Sequence, residues 1–409
     1  MRPKYKILHL CNDEKFIDPV ISSFEEVYPG RSIYYILQTT EAPFKYVTSS
    51  KAERFLIQTA GDEQRISEVL QKNNIKVIFL HALDQNKQRI VNSLDIDVLK
   101  VWFIWGSDLY WNWKLLKQQM FERDTFSFLY GKDYRKSLRR RLTFNNSTLW
   151  FYNKYRSIHF WLPKALIKKL ENNFLTEFYK SVHKIDVVVP IVPMEFNYVS
   201  RINPKLVEAS FAYGNIEDLA AGITLNNDER SKHILIGNSA SPTNNHVDAF
   251  KLVEQCKKQG QKVIVPLSYG GKKNYVDFVI KKGKQYFGED FMPILNFMPL
   301  QEYNKLISNC GFAVFYHRRQ QALGNINTML YIGAKVFLNG ESPIFKYFNK
   351  VEIKVFNLGK IDSASFQTYL SPNGIEYNRT ILFRLYSKEA ARVKVSELLS
   401  IVNAKLNDH

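Results

Sequence analysis

Short apolar runs alternate with amphipathic stretches along most of this chain. Residues 4–10 form a first strand-like run, and residues 18–28 repeat apolar positions at helical spacing. A strand at 31–38, a helix at 63–73 and buried strands at 77–80 and 99–105 follow, the last two leading to His81 and Gly106. Residues 111–184 break the rhythm with long, basic, aromatic-rich helical stretches. Residues 185–190 read as a last strand of this half, and 201–230 as a linker. The alternation then restarts. Strands are predicted at 234–236, 263–266, 293–295, 312–316 and 335–338, with helices at 245–259, 273–284, 300–309, 325–332 and 388–406.

Strands alternating with helices predict parallel sheets covered on both faces. The expected fold is α/β, with two facing, Rossmann-like doubly wound domains, an interdomain cleft and a C-terminal closing helix. The expected boundaries are 1–200, with an insertion at about 111–184, then the linker 201–230, a second domain at 231–385 and the helix at 386–409.

Composition narrows the class. Of 409 residues, 45% are hydrophobic and 23% charged, which is globular composition. No apolar run is long enough to span a bilayer, and the N-terminus lacks a signal-peptide pattern, so a cytoplasmic location is expected. Three scattered cysteines, Cys11, Cys256 and Cys310, fit a reducing compartment and exclude a disulfide framework. The net charge of +18 points to a polyanionic partner, either nucleic acid or an anionic membrane. Residues 132–184 hold 13 Lys/Arg against 3 Asp/Glu, a local +10.

In open α/β sheets, ligands bind beyond the carboxyl ends of the strands, and the candidate chemistry gathers there. Gly237, Asn238, Ser239, Asn244 and His246 follow the strand at 234–236. A glycine, short polar side chains and a helix N-terminus suit a diphosphate, although a capped turn has the same ingredients. Pro266 and Tyr269 follow the next strand, where the tyrosine suits stacking on a base or bonding a phosphate. Arg319, Gln320, Gln321, Gly324 and Asn325 follow the strand at 312–316. Arginine forks fit phosphate oxygens, and amides fit hydroxyls or base edges. In the first half, Asp108 suits a general base, a sugar-hydroxyl ligand or a helix cap. Asp13 and His81 are the next candidates, and His9 and Asp18 also lie near strand ends. Asp95 and Asp97 match a metal-binding spacing, but they precede their strand and so lie at the opposite edge. No metal is expected.

The stretches 234–246 (ILIGNSASPTNNH), 263–269 (VIVPLSY), 319–324 (RQQALG), 336–343 (VFLNGESP) and 104–110 (IWGSDLY) resemble the bacterial transferases of 4-acetamido-4,6-dideoxy-galactose. That resemblance implies a GT-B glycosyltransferase that takes its sugar from a dTDP- or UDP-linked donor. The acceptor it implies is a polyprenyl-diphosphate-linked saccharide in surface polysaccharide synthesis, met at the inner membrane face. It also implies donor contacts from Asn339 and Glu341 besides the residues above. Nucleotide sugar would be a substrate, with no cofactor. Two departures stand out: Thr328 occupies the position of the ribose-binding glutamate of many GT-B enzymes, and Ala322 replaces a glycine.

Aromatic residues interleave with the charges of 132–184, as in helices pressed onto anionic lipid. Arg139, Arg140, Arg141, Trp150 and Trp161 are the expected membrane or acceptor contacts. The same mixture suits nucleic acid. A nucleic-acid-binding protein and a non-catalytic sugar-nucleotide-binding protein are therefore the alternatives to a transferase.

Overall fold

The computed structural model describes residues 5–58, 61–112, 116, 119–131, 147, 150, 174–223 and 232–408. The chain forms two units. The first comprises Met1–Gln118, Ser137–Tyr213 and Ala391–His409; the second comprises Gln119–Lys136 and Gly214–Ala390.

The first unit is built on β1 (Lys6–Cys11), β2 (Ser32–Gln38), β3 (Ala52–Leu56), β4 (Ile75–His81), β5 (Leu99–Phe103), β6 (Val187–Val189) and β7 (Val207–Glu208). All pairings are parallel, in the order β3-β2-β1-β4-β5-β6-β7. Its helices are α1 (Ile17–Val27), α2 (Asp62–Lys72), α3 (Gln85–Ser93) and the short α4 (Ser107–Tyr110). Buried Ile17, Val20, Ile21 and Phe24 give α1 the i, i+3, i+4, i+7 stripe that turns one face to the sheet. Strand β4 is buried at every position but Lys76, as a central parallel strand requires.

The second unit is built on β8 (His233–Ile236), β9 (Val263–Pro266), β10 (Phe291–Ile294), β11 (Cys310–Phe315), β12 (Lys335–Leu338) and β13 (Phe356–Asn357). They are likewise parallel, in the order β10-β9-β8-β11-β12-β13. This unit includes α5 (Arg123–Tyr130), which comes from the stretch assigned by sequence to the first domain's insertion. After it come α6 (Phe174–His183) and α7 (Phe196–Val199) of the first unit. The rest of the second unit carries α8 (Ile216–Leu219), α9 (His246–Glu254), α10 (Lys273–Phe287), α11 (Leu300–Ile307), α12 (Leu323–Ile332), α13 (Pro343–Lys350) and α14 (Pro372–Tyr386).

The long final helix, α15 (Lys388–Asn407), returns to the first unit from Ala391 onward. Its Val395, Leu398, Leu399 and Val402 are buried with Val20, Phe24 and Phe211 in that unit's core. Each such burial contributes on the order of 2 kcal/mol.

Both sheets reverse direction between their first and fourth strands, β1/β4 and β8/β11. The crevice beyond such a reversal is where doubly wound folds bind ligands.

Candidate functional site

At the reversal of the second sheet, β8 ends in Gly237 with φ +74°, a conformation that non-glycine residues enter at a cost. A Cβ there would also lie 2.6 Å from Asn244 Oδ1. The loop therefore needs glycine on two counts. The same Asn244 oxygen accepts from Asn238 N (3.0 Å) and pairs with His317 Nε2 (2.8 Å). Asn244 Nδ2 donates to the carbonyls of Ser239 and Ser241. With Oδ1 accepting, His317 must carry its proton on Nε2. His246, the first residue of α9, is fully buried; its Nδ1 meets Tyr275 Oη at 3.2 Å and its Nε2 has no hydrogen-bond partner. Burial lowers the His246 pKa to about 3, and it holds His317 well below the ordinary value with help from Arg319 and His246. Both imidazoles are neutral at pH 7.

The loop after β11 locks onto this one. Gln321 is its pivot: Oε1 accepts from Thr243 Oγ1 and from Arg319 Nε (2.9 Å), and Nε2 donates to Asn238 Oδ1 (3.0 Å). Arg319 Nε also reaches Thr243 Oγ1 at 3.3 Å, which fixes the plane of the guanidinium. The loop after β9 closes on the other side. Ala240 N donates to Tyr269 O (2.7 Å), and Asn238 Nδ2 lies 3.4 Å from Tyr269 Oη. The approach is so close that a Cβ on Gly271 would sit 2.3 Å from Ala240 O. Tyr269 keeps 45% of its surface exposed. Carboxyl-end loops of β8, β9 and β11 thus meet through neutral amides, hydroxyls and one oriented arginine, a set suited to holding an anion.

The remaining sequence candidates fall around this cluster. Ser239 is buried with Oγ 3.3 Å from Asn244 Nδ2. Pro266 is the buried last residue of β9, and Gln320 is 6% exposed. Gly324 and Asn325 open α12, but Gly324 packs beneath Leu219 of α8. Ala322 adopts φ +63°, so the position where the resembled motif has glycine does use glycine's conformation. Asn339 follows β12 and accepts from Glu341 N (2.9 Å); the Glu341 side chain is 65% exposed beside Lys346. Thr243, Asn245 and His317 were not singled out as site residues, although 237–246 and 315–325 were recognised as ligand loops.

The three catalytic candidates of the first half belong to the first unit. Asp108 is 7% exposed; Oδ2 accepts from Leu83 N (2.8 Å) and Trp102 Nε1 (2.7 Å), and Oδ1 from Trp105 N (3.0 Å). These bonds tie together the ends of β4 and β5. Asp13 accepts from the amides of Lys45, Tyr46 and Val47, and Asp18 from those of Thr48 and Ser49, so both tie down the β2–β3 connection. His81 is fully buried, its Nε2 3.1 Å from His9 Nδ1. Burial depresses both imidazoles, His81 to about 3. Glu195, absent from the sequence candidates, is buried after β6 with Oε2 accepting from Ile191 N and Val192 N; burial pushes it up to about 7.

Trp150 is 49% exposed. Arg139, Arg140, Arg141 and Trp161 lie outside the described residues. Among the described residues, no group of three or more His, Cys, Asp or Glu could hold a metal, and no helix is long and apolar enough to cross a membrane.

Residues 191–368 match the family model described as 4-alpha-L-fucosyltransferase, glycosyl transferase group 56. Solved structures share the whole architecture. HepE of Anabaena, in complex with UDP and glucose, aligns at TM-score 0.59 with 11% identity, over 97% of this chain and 99% of that one. Sucrose-phosphate synthase of Thermosynechococcus elongatus aligns at 0.61 and 10%, over 98% and 100%. Trehalose 6-phosphate synthase of Burkholderia multivorans aligns at 0.59 and 8%, over 99% and 98%. At such identities the likeness shows the fold, while the family match over residues 191–368 points to glycosyl transfer. The chain accordingly has the GT-B fold, and its residues 191–368 match the model of glycosyl transferase group 56.

Proposed function

We propose that this enzyme moves a deoxyamino sugar of the 4-acetamido-4,6-dideoxy-galactose kind from a dTDP- or UDP-linked donor to a polyprenyl-diphosphate-linked saccharide. The observation that carries the donor site is the Gln321-centred network, which holds Asn238, Thr243 and Arg319 in one rigid frame at the sheet reversal. In this reading the loop 237–246 and Arg319 hold the diphosphate, and Tyr269 packs against the base or a phosphate. The leaving diphosphate gains charge in the transition state, and preorganised donors stabilise that charge without a metal ion.

The acceptor assignment is supported by the sequence resemblance and by the cationic excess in 132–184. The basic residues there would hold the enzyme against anionic lipid on the cytoplasmic face, where a polyprenyl diphosphate is presented. Each contributes about 1 kcal/mol near such a surface.

A thermal-shift panel of dTDP-, UDP- and GDP-sugars tests the donor site. Stabilisation by one class, lost in Arg319→Ala, is expected; no stabilisation, or equal stabilisation of the variant, overturns the assignment. Replacing Arg139, Arg140 and Arg141 by glutamine is expected to weaken binding to phosphatidylglycerol-containing vesicles, and unchanged binding refutes the membrane role. Transfer that survives a chelator is expected for metal-independent chemistry.

A further inference from the structure

The segment that opens α5 comes from the chain's first half, yet it sits on the carboxyl ends of the second unit's strands. Glu122 stands at its centre. Its Oε1 accepts from Arg318 Nη1 (2.8 Å) and Asn339 Nδ2 (2.9 Å), and its backbone N donates to Asn245 Oδ1 (2.8 Å). Each partner lies one or two residues from a candidate ligand residue: Arg318 precedes Arg319, Asn245 follows Asn244, and Asn339 accepts from the backbone of Glu341. One carboxylate thus reaches the loops after β11 and β12, while the same residue's amide reaches the loop after β8.

Neighbouring contacts fix the segment in place. Arg318 Nε donates to Gln119 O (3.2 Å), and Asn245 Nδ2 donates to Met120 O and Tyr316 O. Asp248 of α9 caps α5 by accepting from Asp124 N (2.8 Å), Thr125 N (3.0 Å) and Thr125 Oγ1 (2.7 Å). Phe128 stacks on Phe278 at 4.1 Å. Glu122 is therefore held on a rigid support and does not trail as a surface side chain. Its charge-assisted bonds are of the stronger class.

We propose that Glu122 is a positioning residue of the nucleotide-sugar site, clamping the loops after β8, β11 and β12 so that Arg319 and the 237–246 backbone are in place before ligand arrives. The proposal rests on the donor-site reading above. It predicts an effect on nucleotide affinity that exceeds any effect on folding. Losing the carboxylate frees two loops that binding must then order again.

The test uses the full chain and isothermal titration with dTDP and UDP, alongside thermal unfolding. Glu122→Ala is expected to weaken the bound nucleotide at least tenfold while the melting temperature falls by only a few degrees. Glu122→Gln keeps an oxygen acceptor and is expected to recover most of that loss, a rescue that a purely structural role would not show in affinity. If Glu122→Ala does not fold, Arg318→Met removes its bonds to Glu122 and Gln119 O, and Asn339→Ala its bonds to Glu122 and Glu341 N; each is expected to weaken binding at least threefold. Wild type binding neither nucleotide overturns the donor-site reading and this inference with it. Wild type binding while every variant binds within twofold of it overturns this inference alone.

Discussion

Lowering the pH from 7.5 to 5.5 should destabilise the second unit by about 3 kcal/mol and the first by only about 1 kcal/mol. Each unit holds two fully buried histidines, His9 and His81 in the first, His246 and His317 in the second. Burial lowers the pKa of all four, to about 3 for His81 and His246. A histidine held neutral lends stability that is present above its unfolded pKa of 6.5 and is lost as pH falls below it. At pH 5.5 each unfolded imidazole gains about 1.4 kcal/mol from protonation that the folded one forgoes, or about 3 kcal/mol per unit.

Glu195 acts in the opposite sense, and only in the first unit. Its folded pKa, pushed up by burial to about 7, exceeds the ordinary glutamate value, so stability is lost as pH rises through that range and returns as pH falls. Between pH 7.5 and 5.5 it returns about 2 kcal/mol. The partly buried His183 and His233 and the raised carboxyls of Asp108 and Asp248 fall one to each unit, and Glu14, raised by burial in the first unit, acts in the same sense as Glu195, so the difference between units stands. Urea melts can separate the two. Tryptophan fluorescence reports the first unit, which holds all six tryptophans, and hydrogen-exchange mass spectrometry on β8 and β11 peptides reports the second. Glu195→Gln cannot titrate, so it should make the first unit as acid-sensitive as the second. Equal acid losses in wild type, or no effect of Glu195→Gln, would refute the reasoning.

Three substitutions test single features. Asp108→Ala strands three buried donors, Leu83 N, Trp102 Nε1 and Trp105 N, and should cost about 3 kcal/mol in urea melts; full stability with abolished turnover would instead favour a role as the base. Gly237→Ala forces a side chain into φ +74° against Asn244, so titration calorimetry should show at least a tenfold loss of nucleotide affinity. Ala322→Gly relieves a left-handed alanine, and despite glycine's greater unfolded-state entropy it should hold or raise the melting temperature by a few degrees. A clear drop would mean that the alanine methyl packs usefully.

The doubly wound architecture was legible because central strands such as 77–80 and 312–316 are apolar on both faces. The edge strand β3 was not, since Glu53 and Arg54 face solvent and leave no apolar run. Helix α3 was hidden for the converse reason: its buried positions include Lys87, bonded to Asn12 and Asp84, and Gln88, whose Nε2 donates to Leu83 O. The ligand loops were readable from residue type at strand ends. The hydrogen bonds that join them were not, because Thr243 and Gln321 are 78 positions apart. The bonds of Asp108 were hidden for a similar reason, since a carboxylate after a strand has the same sequence appearance whether it faces substrate or three buried N–H groups.

Neither unit is a contiguous stretch of chain, and this orders assembly during synthesis. The seven strands of the first sheet are complete by Glu208, but the helix that covers part of its core arrives only with Val395 and the residues after it. By then every segment of the second unit has been made, and Gln119–Lys136, translated long before, has waited for β8, β11 and β12 to emerge. The sheet begun first is therefore the last to be sealed, and until then the core residues that α15 covers, Val20, Phe24 and Phe211 among them, lack that cover against misassociation.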